Sequence, residues 1–560
     1  MTQRTGHLST KKLFFGGLAA GTVALAASLL LRLYVGGEFL PEIASQTLFS
    51  LTPGQIESRA VESLGPIAKY SALIGAVVAN IILYGLLSLL SVGRSNNKLG
   101  MKEYVRNAIR SSLLAYVVLL VIGVVLFALT ETDVQTKLGS LRLLAIYLIP
   151  SNFVFGFILA SFYEGISLRR EPTIPKEKHT IASSTSSNTE IDYKKRLLLR
   201  AGIASAVALP ILYFGLGSLI SPRQEVQQSS SFLLSQFQKR SAGVKPRGFE
   251  DPRIAPLLAS EITPTELFYR IDKNPIVPVV MASTWKLTVK GLVTKPLEIN
   301  YKNLRDMPSI EEFATLECVS NKIGGELIST AVWKGVRLKE ILETAKIMPN
   351  AKYIVFRCYD GYDVGIPLER GLFDGTILAY DMNGASLTAE HGYPVRAIVP
   401  GLYGMMNPKW ITEIELVNSI YEGYWQRKGW ANNAKYNTHS FIVIPGNASV
   451  RQRFINLSAA RIATPSSSGV IPIAGVAFAG DRGILKVEVS TDGGATWKAT
   501  QLKDSLSSYT WVLWTTEINV TDKGSHRIIA RSTDKTGKTQ TAEIADPFPN
   551  GATGYDVVNI

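Results

Sequence analysis

Hydrophobic positions are spread unevenly along this chain. The first 220 residues carry five long apolar runs: Leu13 to Val35, Ile67 to Leu90, Leu113 to Leu129, Leu143 to Phe162 and Leu197 to Ile220. Each is close to the roughly 20 residues an α-helix needs to cross a hydrocarbon core, so the pattern predicts five membrane spans. The polar stretches between them alternate in charge. Arg4, Lys11 and Lys12 precede the first run; Arg94, Lys98, Lys102, Arg106 and Arg110 separate the second and third. Arg169, Arg170, Lys176, Lys178, Lys194, Lys195 and Arg196 separate the fourth and fifth. The other two loops carry Glu38, Glu42, Glu57 and Glu62, and Glu131 with Asp133. Basic loops stay in the cytoplasm, which places the N-terminus inside and everything after the fifth span outside.

After the fifth run the period changes. Gln224 to Gln238 is rich in Gln and Ser and predicts a tether. From about Ile262 to Asn418, strands alternate with short helices over Trp285 to Val293, Leu338 to Ala345, Lys352 to Phe356, Gly375 to Tyr380 and Arg396 to Val399. From about Ile442 the pattern is all-β. Val487 and Val489 alternate with Lys486, Glu488 and Ser490, Asp492-Gly493-Gly494 makes a turn, and Trp497 opens the returning strand. Ile528 to Arg531 repeats the style. The domains expected are residues 1–221 (membrane), 222–261 (linker), 262–430 (α+β) and 440–560 (all-β).

Composition adds three points. Much of the net charge of +14 is accounted for by the cytoplasmic loops, and no basic stripe with interleaved aromatics suggests a nucleic acid partner. The histidines are His7, His179, His391, His439 and His526, none inside an apolar run, so no membrane haem is expected. There is no Cys-x-x-Cys pair and no His-x-x-x-His, which argues against a zinc site. The two cysteines, Cys318 and Cys358, lie in the outer half, where a disulfide between them is one reading.

The richest stretch for chemistry starts at Phe313-Ala314-Thr315-Leu316, which reads as a strand with Glu317-Cys318-Val319-Ser320-Asn321 at its end. A polar, glycine-bearing loop follows, then Trp333-Lys334-Gly335-Val336 as a turn and an apolar helix start. A thiolate at a strand end, facing backbone donors, is suited to a soft metal. Further along come Leu378-Ala379-Tyr380 with Met382-Asn383-Gly384, His391-Gly392-Tyr393-Pro394-Val395-Arg396, Ile398-Val399-Pro400-Gly401 and Pro408-Lys409-Trp410. This ordered set resembles the sulfite oxidase family of molybdopterin enzymes, from roughly Ile262 to the C-terminus.

The resemblance implies a molybdenum-molybdopterin cofactor (Mo-co) in a mixed α+β domain, followed by an immunoglobulin-like sandwich whose usual role is homodimer contact. It assigns Cys318 as the thiolate on molybdenum. Tyr269 and Arg270 match a segment at the pterin and substrate pocket, with Arg270 as a substrate arginine. Asp360 matches a cofactor-contacting acid, although Asp360-Gly361 would also suit a plain turn. Tyr362 matches an active-site tyrosine. His391, Arg396, Asn407, Pro408 and Lys409 match residues that hold the cofactor phosphate, while Trp410 reads as packing. Tyr193-Lys194-Lys195-Arg196-Leu197 resembles a twin-arginine export signal, with Lys195-Arg196 where the pair is Arg-Arg.

One departure touches the substrate. Sulfite oxidases follow their cysteine with Ala-Gly-Asn and two basic residues; here Val319-Ser320-Asn321-Lys322-Ile323 follows, so Ile323 stands at the second basic position and one cation is lost. The chain also shows no cytochrome b5-like domain, so a separate electron-transfer partner (cytochrome, cupredoxin or quinone-linked) is expected. The fold expected is a five-helix transmembrane bundle, an α+β molybdopterin domain and an immunoglobulin-like sandwich. The function expected is oxygen-atom transfer on a small sulfur or nitrogen compound by a multi-pass membrane enzyme whose catalytic domain is extracytoplasmic. An S- or N-oxide reductase and an inactive sensor or adhesion protein are the alternatives.

Overall fold

The computed structural model describes residues 10–35, 38–64, 67–91, 101–129, 134–167, 276–445, 469–520 and 526–560, with Ala208, Ile211, Leu212 and most of 248–274. The chain divides into two compact units, one helical and one rich in β-structure.

The helical unit contains α1 (Thr10–Val35), α2 (Leu40–Leu51), α3 (Gly54–Leu64, shared with the second unit), α4 (Ile67–Ser91), α5 (Met101–Ala128) and α6 (Val134–Ser167). Among the described residues, four helical stretches are long and apolar enough to cross a membrane: Thr10–Val35, Tyr70–Leu90, Glu103–Ala128 and Leu138–Phe162. The fifth expected run, Leu197 to Ile220, lies outside the described residues apart from Ala208, Ile211 and Leu212. So do the basic pair Lys195-Arg196 and the Gln224 to Gln238 tether. Small residues let the helices approach closely. A Cβ at Gly17 or Gly21 of α1 would overlap Ser88 or Tyr84 of α4, and one at Gly156 of α6 would overlap Ser112 of α5. The stretch between the first two runs, expected to be a loop, holds α2 and α3. At 12 and 11 residues both are too short to register as apolar runs. Glu42 of α2 ion-pairs with Arg32 of α1 at 2.8 Å, as charges inside an apolar bundle must.

The second unit begins with two five-stranded sheets. One runs in the order β2 (Leu297–Asn300), β1 (Lys286–Gly291), β10 (Ile411–Val417), β5 (Tyr353–Cys358), β6 (Asp363–Pro367), with β1 parallel to β10. The other runs β3 (Ile310–Glu317), β4 (Ile328–Arg337), β7 (Ile377–Met382), β8 (Ala385–Ser386), and β9 (Arg396–Ile398) also pairs with β7. Short helices punctuate the strands, and two of them are longer than four residues. In α7 (Tyr301–Asp306), Asn300 accepts a hydrogen bond from the Asn303 N–H at 2.8 Å, the expected N-cap. In α8 (Leu338–Ala345), Leu338, Ile341, Leu342 and Ala345 are buried at helical spacing.

One local expectation fails. Trp333-Lys334-Gly335-Val336 is not a turn but lies inside β4. Gly335 is needed there for close approach: a Cβ would overlap the Leu378 carbonyl oxygen of β7, where the pairing register shifts. The helix starts only at Leu338.

The chain continues through β11 (His439–Ile444), β12 (Gly469–Phe478), β13 (Ile484–Ser490), β14 (Lys498–Ala499), β15 (Gln501–Leu502), β16 (Val512–Val520), β17 (Arg527–Asp534) and β18 (Asp556–Asn559). These make two four-stranded sheets, β11-β12-β16-β15 and β14-β13-β17-β18. Ile442, Ile473, Trp514 and Ile518 of one share a core with Val487, Val489, Ile528 and Ala530 of the other. Gly493 and Gly494, both at positive φ, form the turn after β13.

Candidate active site

The chain path after β3 presents the candidate thiol. Glu317 closes the strand and Cys318 follows it, buried, with its backbone N–H donating to Leu327 O at 2.9 Å. The Cys318 Sγ lies 3.1 Å from Ser320 Oγ. Asn321 closes the loop: its Nδ2 donates to Glu317 Oε1 and its Oδ1 accepts from Leu327 N–H, both at 2.9 Å. This bracket of side-chain and backbone bonds fixes Cys318 at the mouth of the connection between β3 and β4. Cys318 and Cys358 are both buried and neither is in a disulfide, so the disulfide reading is set aside. Cys358 ends β5, where burial pushes its thiol well above the ordinary value, as suits an inert core position.

Cys318 shares one buried cluster with Phe268, Tyr269 and Trp333. The same aromatic group meets the candidate phosphate residues. Arg396 of β9 lies over the Trp333 ring at 4.9 Å, and the Phe268 ring is 5.5 Å from both Trp333 and His391. Arg396 Nη1 donates to His391 O at 3.2 Å and Nη2 to Asn407 O at 3.3 Å. Its Nε is buried and, among the described residues, has no hydrogen-bond partner. Gly392 lies between Arg396 and Lys409 at φ +105°; a Cβ there would sit 3.0 Å from Lys409 Cβ and 3.1 Å from Arg396 Cβ. Lys409 donates to Glu390 O at 2.9 Å and ion-pairs with Asp272, which also pairs with Arg270.

The electrostatics follow from this crowding. Burial pushes the Arg396 guanidinium down to about 10, with no carboxylate paired to it among the described residues. Burial takes Lys409 down to about 8 despite Asp272 beside it. Burial, then the Lys409 and Arg396 cations, push His391 down to about 3. The imidazole is therefore neutral at pH 7, with Nε2 2.8 Å from Thr265 O. Burial alone would raise Asp272, but Lys409 and Arg270 bring it net down to about 2. A buried guanidinium with an unpaired N–H, a second buried cation and a Cβ-free cradle between them form an anion site whose donors fit a phosphate.

The remaining predicted residues divide. Tyr269 is buried, and a Cβ at Gly404 would overlap its hydroxyl and lie 3.1 Å from Glu317 O, so this glycine lets the tyrosine reach the strand end beside Cys318. Asn407 spends its side chain on backbone: Oδ1 accepts from Val399 N–H at 2.6 Å and Nδ2 donates to Leu402 O and Tyr403 O at 3.2 and 3.1 Å. Pro408 O accepts from Ala397 N–H at 2.9 Å, locking this loop to β9. Tyr362 donates its hydroxyl to Met405 O at 2.6 Å. Asp360 sits in the tight turn between β5 and β6, with Gly361 at positive φ and its own Oδ1 accepting from Tyr362 N–H at 3.0 Å. Lys273 Nζ donates to the Asp360 and Gly361 carbonyls at 3.3 and 2.9 Å, so the turn reading of Asp360 is realised. Trp410 is buried, its Nε1 donating to Ala389 O at 2.8 Å, which makes it packing as expected.

Sequence reasoning missed Asp272, Trp333 as the platform under Arg396, and the Glu317–Asn321 bracket. A signal for Asp272 was present, an acid two residues after the candidate substrate arginine, but nothing local says that Lys409 is its other partner. Among the described residues no group of three or more His, Cys, Asp or Glu could hold a metal ion.

Residues 274–425 match the oxidoreductase molybdopterin binding domain, and residues 432–546 the Mo-co oxidoreductase dimerisation domain. The chain is 27% identical over 352 residues to sulfite oxidase of Arabidopsis thaliana, covering 54% of this chain and 87% of that one. It is 27% identical over 438 residues to an NADH nitrate reductase of Phaseolus vulgaris, covering 68% of this chain and 48% of that one. The sulfane dehydrogenase SoxCD of Paracoccus pantotrophus is a structural neighbour at 21% identity and TM-score 0.45, covering 53% of this chain and 81% of that one. With both domain types in their order, and a thiol and an anion cradle on one aromatic cluster, the chain belongs to the sulfite oxidase family of molybdenum-dependent oxidoreductases.

Proposed function

We propose that this protein is a membrane-anchored, extracytoplasmic enzyme that moves an oxygen atom between water and a small sulfur or nitrogen compound. The carrying observation is the buried Arg396 with its unpaired Nε beside Lys409 and the Gly392 cradle, built on the same aromatic cluster as Cys318. In this reading Cys318 is the protein's ligand to molybdenum. Arg396, Lys409, the backbone around Asn407 and Pro408, and the neutral His391 hold the phosphate of molybdopterin. Tyr269, Tyr362 and Asp360 border the pterin and the reacting centre, and Arg270 stands on the substrate side. Once bound, the cofactor supplies two-electron oxygen-atom transfer. The chain's own contribution is to exclude water, hold the anion and present Cys318 from a closed loop.

The wider reading has five spans, including Leu197 to Ile220, with the N-terminus cytoplasmic and residues 262–430 and 440–560 as outer domains. The second outer domain is an immunoglobulin-like sandwich that pairs copies of the chain, and electrons pass to or from a separate redox protein. The basic and acidic loop alternation supports the orientation. The dimerisation-type domain supports the pairing.

Ile323, half-buried in the Cys318 loop, favours a second reading in which the substrate is a neutral S- or N-oxide being reduced. The test is molybdenum and pterin content of the purified full chain, followed by steady-state kinetics with sulfite and with a sulfoxide. One molybdenum per chain with activity on either substrate is expected. A metal-free, pterin-free protein would overturn the proposal, and a micromolar KM for sulfite would overturn the reductase reading.

A further inference from the structure

The buried charges of this site are shared unequally, and the sharing bears on what the site accepts. Arg270, Arg396 and Lys409 bring three positive charges, and Asp272 brings one negative. Asp272 stands between two of the cations: its Oδ2 accepts from Arg270 Nε and its Oδ1 from Lys409 Nζ. Its side chain is 6% exposed, against 23% for Arg270 and 12% for Lys409, so the bridge is poorly screened by water. The neighbouring group balances itself. Arg427 holds Asp363 through two contacts of 2.9 and 3.0 Å, and Lys273 lies on the Asp360 turn. Among the four described groups Arg270, Arg396, Lys409 and Asp272, the excess of two positive charges equals the charge of one phosphate monoester dianion. Among these buried groups no cation remains for a second dianion, because Arg270, the buried cation nearest the substrate side in the reading above, already has a carboxylate on it; Lys322 of the Cys318 loop is exposed.

We propose that Asp272 is a specificity-determining residue: by bridging Arg270 to Lys409 it withholds Arg270 from a dianionic substrate and suits the site to a neutral or singly charged one. The inference rests on the molybdopterin reading but not on Ile323, which lies on a different loop. Asp272 acts through Arg270 and is a positioning residue. Removing its charge should improve anion binding, whereas loss of a merely structural contact would impair it.

The experiment uses the full chain in detergent, loaded with molybdenum, with sulfate as an unreactive dianion followed by calorimetry. Asp272→Asn should bind sulfate about tenfold or more tightly than the native protein, and the gain should vanish in Asp272→Asn/Arg270→Ala. In the native background Arg270→Ala should change sulfate affinity by less than about threefold, a measurement that stands even if Asp272→Asn fails to fold. KM for sulfite should fall in Asp272→Asn with little change in kcat. An unchanged or weaker sulfate affinity in folded, molybdenum-replete Asp272→Asn overturns the inference and leaves the molybdopterin reading intact. So does a tenfold loss in Arg270→Ala alone. A native protein without molybdenum, binding sulfate tightly through Arg396, removes the molybdopterin reading and the inference with it.

Discussion

A single thiol and a single buried guanidinium carry most of the chemical argument. The loop of Cys318 is closed by its own backbone N–H and by the side chains of Asn321 and Glu317, groups that Cys318→Ser leaves in place. Cys318→Ser should therefore abolish activity and molybdenum binding while far-ultraviolet circular dichroism stays native; full activity in that variant would sink the thiolate assignment. Ile323→Arg adds a charge to the same loop. It should lower KM for sulfite, by up to the roughly 2–5 kcal/mol that a close charged contact contributes, and unchanged sulfite kinetics would place Ile323 away from the substrate. His391 makes a separate forecast. Its folded value of about 3 lies below its ordinary 6.5, so between these the unfolded chain binds the extra proton. Its contribution to stability is thus lost progressively as pH falls from about 6.5 towards 3, at up to about 1.4 kcal/mol per pH unit. Denaturant titrations between pH 4.5 and 7 should show that slope reduced in His391→Gln; identical slopes would mean that the imidazole is not held neutral.

Strand β4 shows what an element needs beyond its own propensity. Locally, Trp333-Lys334-Gly335-Val336 has a plausible turn composition, with a glycine third. In the sheet, β3 pairs with one edge of β4 and β7 with the other, and β7 passes so close that position 335 has no room for a side chain. Gly335→Ala should destabilise the outer unit by about 1–3 kcal/mol, the usual cost of overpacking, as measured by its thermal or denaturant midpoint. A neutral result would mean that β7 can move away freely. Helix α8 is the opposite case. Its apolar positions recur at helical spacing, so its bounds were legible as Leu338 to Ala345 before any packing was known. β3 was legible too, and with it the place of Cys318, because a strand followed by a polar, glycine-bearing loop is a local pattern.

At the scale of the molecule, the charges between the apolar runs bear on orientation. The alternation of basic and acidic loops predicts that protease added outside intact cells cuts between Ser221 and Ile262 and releases the β-rich unit. Cleavage at Ser183 to Asn188 instead would invert the orientation and put the enzyme in the cytoplasm. Four of the five expected spans correspond to apolar helices, but their ends moved. The third begins at Met101, so Arg106 and Arg110 lie on the helix rather than before it. Charged residues at a helix end still read as loop in a hydropathy pattern, because they can extend towards water while their backbone stays helical.

Whatever depends on short-range order was in the sequence. The apolar runs, the shift from helical to alternating period, the thiol at a strand end and the string of family motifs are all functions of neighbours along the chain. Pairing between distant residues was not. That Asp272 would sit between Arg270 and Lys409, or that Arg396 would lie on Trp333 with one N–H unpaired, is set by how β4, β7 and β9 register and by the loop that Asn407 locks to β9. Charge at one position is visible in a sequence, but the field it feels in the fold depends on burial and on partners more than a hundred residues away. Only the tertiary structure brings those together.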